Sequence, residues 1–134
     1  MAKPAIEIIS AVTLPTRDMA RAVAFYQALG FVLHFGGPDA GFTSLQAGQS
    51  ALNLRTANLR TANLRTGPAE PPASPPASPP IRIIFWVSDV DEQHAHALAA
   101  GLAPDFTPRD ATWGERYFHI SDPDGHGLSF ARKL

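Results

Sequence analysis

The sequence predicts an α+β fold built from two βαβββ modules, and three observations carry that reading. First, the two halves of the 134-residue chain can be laid over each other in order. Ile9–Leu14 matches Ile81–Phe85, Thr16–Met19 matches Ser88–Asp91, Phe42–Leu45 matches Tyr117–Ile120, and Leu52–Leu54 matches Leu128–Phe130. Second, apolar and polar residues alternate through Tyr117–Ser121 and again through Leu128–Phe130, around Asp122-Pro123-Asp124-Gly125. Proline suits the first corner of a tight turn and glycine its positive-φ position, so this stretch predicts a β-hairpin with one dry face. Third, Met19, Ala22, Val23, Tyr26 and Leu29 recur at helical spacing, with Asp18 placed to cap and Gly30 placed to stop.

In the first half, Ile6–Leu14 predicts a strand, closed by Pro15. The helix follows, then a strand over Phe31–Phe35 and a Gly36-Gly37-Pro38-Asp39 loop. Phe42–Gln46 and Ala51–Arg55 predict a hairpin around Ala47-Gly48-Gln49. Residues 56–80 differ in kind. Asn-Leu-Arg-Thr-Ala begins at Asn53 and recurs at Asn58 and Asn63, its last copy ending in Gly67, and Pro71-Pro72-Ala73-Ser74 recurs at Pro75. Seven of the thirteen prolines lie between Pro68 and Pro80, so few backbone donors remain and the stretch is expected to be a linker without a core. The first repeat is expected to supply the last strand of the first half. The alternative for the prolines is a polyproline II docking segment.

In the second half, Ile81–Val87 predicts a strand. Asp89 is placed to cap a helix through Ala100, stopped by Gly101, with Val90, His94, Ala97 and Leu98 on one face. His94 is therefore expected to pack and His96 to be solvated. Leu102–Thr107 predicts a short, proline-limited strand before the final hairpin. The boundaries expected are module one over 5–55, linker over 56–80 and module two over 81–134.

Composition narrows the function classes. Hydrophobic residues make up 45% and charged residues 17%, as in soluble globular proteins. With a net charge of −1 and no basic cluster, neither a nucleic acid nor an anionic membrane surface is the expected partner. No cysteine is present, which excludes disulfides and thiolate metal sites. No stretch has the length of a membrane span or the layout of a secretory leader, so a cytoplasmic location is expected.

Several spaced motifs resemble one known family. These are Thr16-Arg17-Asp18 entering a helix that holds Phe25-Tyr26 and ends Leu29-Gly30-Phe31, then Trp86-Val87-Ser88-Asp89-Val90-Asp91, and above all Asp122-Pro123-Asp124-Gly125-His126 leading into the last strand. They resemble the vicinal oxygen chelate superfamily, which includes glyoxalases, bleomycin-resistance proteins and extradiol dioxygenases. The resemblance implies curled mixed sheets enclosing a cleft, and commonly a homodimer. It also implies a metal-ligand position on the first and last strands of each module, here Ala11, Asn53, Arg82 and Ser129. A methyl group cannot ligate, a guanidinium repels a divalent cation, and an amide and a hydroxyl are weak ligands. No metal and no other cofactor is therefore expected.

With Arg82 and Ser129 facing the cleft, alternation adds Trp86, Tyr117 and His119 to that side, and Phe42 and Asn53 from the first module. Trp113 is placed at the cleft mouth, where it can stack on a planar ligand. Phe118, Ile120, Leu128 and Phe130 then form core. Arg82 suits a carboxylate, phosphate or phenolate, the alternative being an internal pair with Glu115 or Asp110. His119 is either a pocket hydrogen-bonder or an acid–base group. His126 is expected to face solvent, and His34 to stand at the cleft rim. The expected function is metal-independent binding of an anionic or aromatic small molecule, possible modes being antibiotic or toxin sequestration. The second reading is an atypical glyoxalase- or dioxygenase-like enzyme (lyase, isomerase or oxidoreductase) using His119, Glu115 and Tyr117. The third is an interaction module that docks through the proline-rich segment.

Overall fold

The computed structural model describes residues 3–57 and 79–134. The expected linker over 56–80 lies almost wholly outside the described residues. The first module runs β1 (Ala11–Thr16), α1 (Met19–Ala28), β2 (Val32–Phe35), β3 (Phe42–Ala47) and β4 (Ser50–Thr56). The second runs β5 (Arg82–Trp86), α2 (Val90–Ala99), β6 (Arg109–Asp110), β7 (Glu115–Ser121) and β8 (Gly127–Lys133). Each module forms one four-stranded sheet, ordered β1-β4-β3-β2 and β5-β8-β7-β6. The first strand of each module pairs parallel with the last, and the other pairings are antiparallel. This is the α+β fold of two βαβββ modules that the repeated pattern predicts, with the sheets left unclosed.

Both helices start as their capping residues dictate. Asp18 accepts from the Arg21 backbone N–H and Asp89 from that of Glu92, each satisfying a donor the first helical turn leaves unpaired. Gly30 and Gly101 then leave the helices at φ 101° and 82°, a region that disfavours a side chain. α1 buries Met19, Ala22, Val23 and Tyr26, and β8 buries Leu128 and Phe130 on the same side of its sheet.

One core runs through both modules. Phe31 of the first meets Phe85 of the second edge-on at 5.0 Å, Phe85 stacks on Phe130 at 5.6 Å, and Phe130 meets Phe118 at 5.5 Å. His94 packs edge-on against Phe118 at 5.1 Å, the packing role expected of it. Offset and edge-on geometries suit the ring quadrupole, and each such pair contributes about 1 kcal/mol beyond burial.

Three expectations about elements need correction. The first strand begins at Ala11, not Ile6, and runs through Pro15 to Thr16; Ile6, Ile8 and Ile9 are exposed. Pro15 is tolerated because β1 is an edge strand, where one row of backbone groups has no ladder partner. Leu102–Thr107 is not a strand. Pro104 and Pro108 withhold donors there, and the pairing resumes only at Arg109–Asp110. His126 does not face solvent freely, since its Nε2 lies 2.8 Å from the Pro15 carbonyl.

Candidate functional site: the gap between the β1 and β5 edges

Strand order leaves β1 and β5 as edges, and a cavity of about 800 Å³ follows them. Ala11 and Val12 line it from the first module, with Gln46 behind the β3–β4 turn. Ile81–Val87 line it without a break from the second, and Phe31 and Phe130 stand at its back. Residues of both parities on β5 reach it, so it tracks the backbone edge rather than one sheet face. Arg82 is the one charged side chain among the described residues that line it.

Arg82 donates from Nη1 to the Leu128 carbonyl at 3.0 Å. Neither Glu115 nor Asp110 pairs with it, contrary to one expectation. Glu115 accepts the Trp113 indole N–H at 2.9 Å, and Asp110 is held with Asp91 by Arg116 at 2.9 and 2.8 Å. Among the described residues, no carboxylate lies within ion-pair distance of Arg82.

The other candidate residues divide into two groups. Strand register puts Ile84, Ser129 and His119 side by side, and Trp86, Ala131 and Tyr117 on the next rung. Arg82, Trp86, Tyr117, His119 and Ser129 thus share the face of the second sheet away from its helix. Ser129 is buried at 3% exposure and turns its hydroxyl to the Phe118 carbonyl, so it floors this face and offers a ligand little. Trp113 stands 5.4 Å from Tyr117 at the rim. Phe42 and Asn53 sit on the first sheet, where Asn53 reaches Thr13 at 3.5 Å, and they do not line the cavity. His34 is exposed on β2, beside the register shift between Leu33 and Phe35.

Sequence reasoning missed Phe106 and Arg109. The Arg109 guanidinium lies 3.5 Å from the Phe106 ring centroid, and that ring lies 5.1 Å from His119. Phe106 lies in the irregular stretch before Pro108 and Arg109 opens the two-residue β6, too short for periodicity to assign a face. Burial, then the charges of Arg82 and Arg109, hold the His119 pKa below its ordinary value despite Asp105 nearby. His119 is therefore biased toward the neutral imidazole.

A second polar cluster lies at the β7–β8 turn. Asp122 accepts from the Tyr26 hydroxyl at 2.6 Å and from the backbone N–H groups of Asp124 and His126 at 2.9 Å each. Asp124 accepts from Arg17 at 2.8 Å, and the Pro123 carbonyl takes bonds from Arg17 and Arg21. Ligand atoms of Asp122, Asp124 and His126 lie within 4.8 Å of one another, yet each already has a partner and a guanidinium sits among them. The cluster ties α1 to the second module. It is not suited to a cation. Burial raises the pKa of Asp122 and, with the neighbouring carboxylate, that of Tyr26.

The metal positions of metal-using relatives can be tested on donor chemistry. The rungs Ala11–Ala51, Thr13–Asn53, Arg82–Gly127 and Ile84–Ser129 carry no imidazole and no carboxylate. This donor set does not fit a divalent metal.

The family model for the Glyoxalase/Bleomycin resistance protein/Dioxygenase superfamily matches residues 8–130. The chain belongs to this superfamily. Among solved structures, TioX from Micromonospora sp. ML1 is similar at 27% identity, TM-score 0.69, over 92% of this chain and 97% of that one. A glyoxalase/bleomycin resistance protein/dioxygenase from Nocardioides superposes at TM-score 0.71 with 23% identity, over 98% and 87%. A bleomycin-binding protein, solved in complex with bleomycin, superposes at TM-score 0.68 with 24% identity, over 96% and 100%. The last two likenesses establish the fold alone. No curated protein matches in sequence. No helix among the described residues is long and apolar enough to cross a membrane.

Proposed function

We propose that this superfamily member is a small-molecule-binding protein that holds its ligand without a divalent metal and acts by sequestration. The observation that carries the reading is the cavity along the free edges of β1 and β5. Its volume of about 800 Å³ is in the range of small-molecule pockets, and its lining is mainly apolar and aromatic with one cation. The misfit of Ala11, Asn53, Arg82 and Ser129 to metal ligation supports the metal-free part. An antibiotic or toxin is the class of cargo that the bleomycin-bound neighbour suggests. Bleomycin itself is bulky and cationic, and Arg82 in the cavity disfavours it; an anionic or aromatic molecule suits the lining better. On this reading the protein works as a cytoplasmic homodimer.

Thermal melting against Ni²⁺, Zn²⁺, Mn²⁺ and Fe²⁺ tests the metal-free part, because a native metal site raises Tm by mass action. No shift is expected, and a saturable rise with any of the four overturns it. Native mass spectrometry of the freshly purified protein tests cargo and assembly together, the expected result being a dimer that carries small-molecule adducts.

One observation favours a second reading. His119, whose pKa burial and then the Arg82 charge hold below its ordinary value, packs against Phe106 and Tyr117, a setting that suits a general base. His119 does not line the cavity, so on this reading the substrate extends past Arg82 onto the sheet face that holds His119, and His119→Gln is expected to abolish its turnover.

A further inference from the structure

We infer that the cavity between β1 and β5 takes an elongated amphiphilic anion, with its carboxylate at Arg82 and its apolar body running along β5 toward Trp86. The inference rests on the binding function proposed for that cavity and adds the chemical class of its occupant.

Shape comes first. Ile81–Val87 line the cavity continuously, so it extends about 20 Å at ~3.3 Å of strand rise per residue. Its volume of about 800 Å³, drawn out along that edge, makes an elongated groove. Such a groove has room for an alkyl chain or a single ring lying along β5.

Charge comes second, and it is asymmetric. Arg82 stands next to one end of the lining run, while Ile83–Val87 carry no charge. The depth of the groove is apolar, with Phe31, Phe85 and Phe130 behind. An occupant that matches this lining has one anionic end and an apolar remainder.

Hydrogen bonding comes third. Arg82 holds a neutral carbonyl through Nη1, and no carboxylate within the described residues neutralises it. A half-buried guanidinium in that state has donors left that pair best with a carboxylate, in forked geometry. The polar neighbours do not compete for this role. Gln93, for one, already donates its Nε2 to the Leu29 carbonyl at 2.8 Å.

Trp86 lines the groove and Trp113 does not, so the Trp113→Phe protein reports on the groove through one indole. Decanoate, decanol and decyltrimethylammonium, each titrated below its micelle threshold, share a tail and differ only in head group. Decanoate is expected to change Trp86 emission saturably, decanol to bind at least about tenfold more weakly, and the ammonium not at all. Arg82→Gln, checked for an unchanged circular dichroism spectrum, is expected to bring decanoate down to the level of decanol. Arg82→Lys, which keeps the charge and loses the fork, is expected to fall between them. Equal binding of acid and alcohol by the unsubstituted Arg82 protein overturns the anionic class and leaves the cavity's binding role standing. Preference for the ammonium overturns the class as well. Saturable binding by none of the three overturns both the class and the use of this cavity.

Discussion

The two modules share one topology and use the equivalent turn in opposite ways. In the second module the β7–β8 turn, Asp122–His126, docks onto the start of α1 and is knitted there by Tyr26, Arg17, Arg21 and the Pro15 carbonyl. In the first module the β3–β4 turn is only Gly48-Gln49, and its side of the molecule opens into the cavity. Position matters as well as length. Arg17 precedes the α1 cap, whereas Ser88 precedes the α2 cap and has no reach to clamp a turn. One copy of the motif holds the molecule together, and the other leaves room for a ligand. A duplicated module thus divides stability and binding between its copies.

Breaking the shared core gives the largest expected effect. Phe118→Ala removes a fully buried ring that touches His94 and Phe130, and is expected to cost about 3–5 kcal/mol in urea unfolding. Next is the docked turn. Asp122→Ala leaves the Tyr26 hydroxyl and two backbone N–H groups without their acceptor, for an expected loss of about 2–4 kcal/mol. The matching change in the open turn, Gln49→Ala, is expected to stay within about 0.5 kcal/mol. Equal losses at the two turns would erase the contrast between the modules.

Acidity probes the same contrast more gently. The folded-state pKa of His119 lies below its unfolded value, so between the two the unfolded chain binds the extra proton. Stability is therefore expected to fall as pH drops below about 6.5 toward the folded pKa. Asp122 acts with the opposite sign. Its folded pKa is raised, so its charged form weighs against folding as pH climbs through the carboxyl range. Arg82→Gln is expected to move the NMR titration midpoint of His119 upward, since the Arg82 charge helps to hold it down. The smallest effect belongs to Arg116, whose ion pairs with Asp91 and Asp110 lie at the solvent surface. Arg116→Ala is expected to leave Tm nearly unchanged in moderate salt.

Much of the fold was legible because it is local. Helix starts at Asp18 and Asp89, stops at Gly30 and Gly101, and the dry faces of β7 and β8 all follow from spacing and capping chemistry. Arg82 was singled out because the family resemblance places it at a cleft-facing position, and it is the charged side chain among the described residues that line the cavity. Phe106 and Arg109 were not singled out, since one lies in an irregular stretch before Pro108 and the other opens a two-residue strand. Tyr26 was read as one apolar member of a helical stripe. A buried tyrosine hydroxyl needs a partner, however, and that partner is 96 residues away, in the β7–β8 turn.

By itself, then, the sequence determined two βαβββ modules and their core faces. These depend on periodicity, capping and side-chain chemistry, which act over a few residues. Only the tertiary structure decided that the duplicated turns diverge in use, and that the cavity follows the β1 and β5 edges rather than the face holding Tyr117, His119 and Ser129. Those outcomes depend on how one module seats against the other. That seating is set by long-range contacts such as Tyr26 with Asp122 and Phe31 with Phe85, which no local pattern encodes.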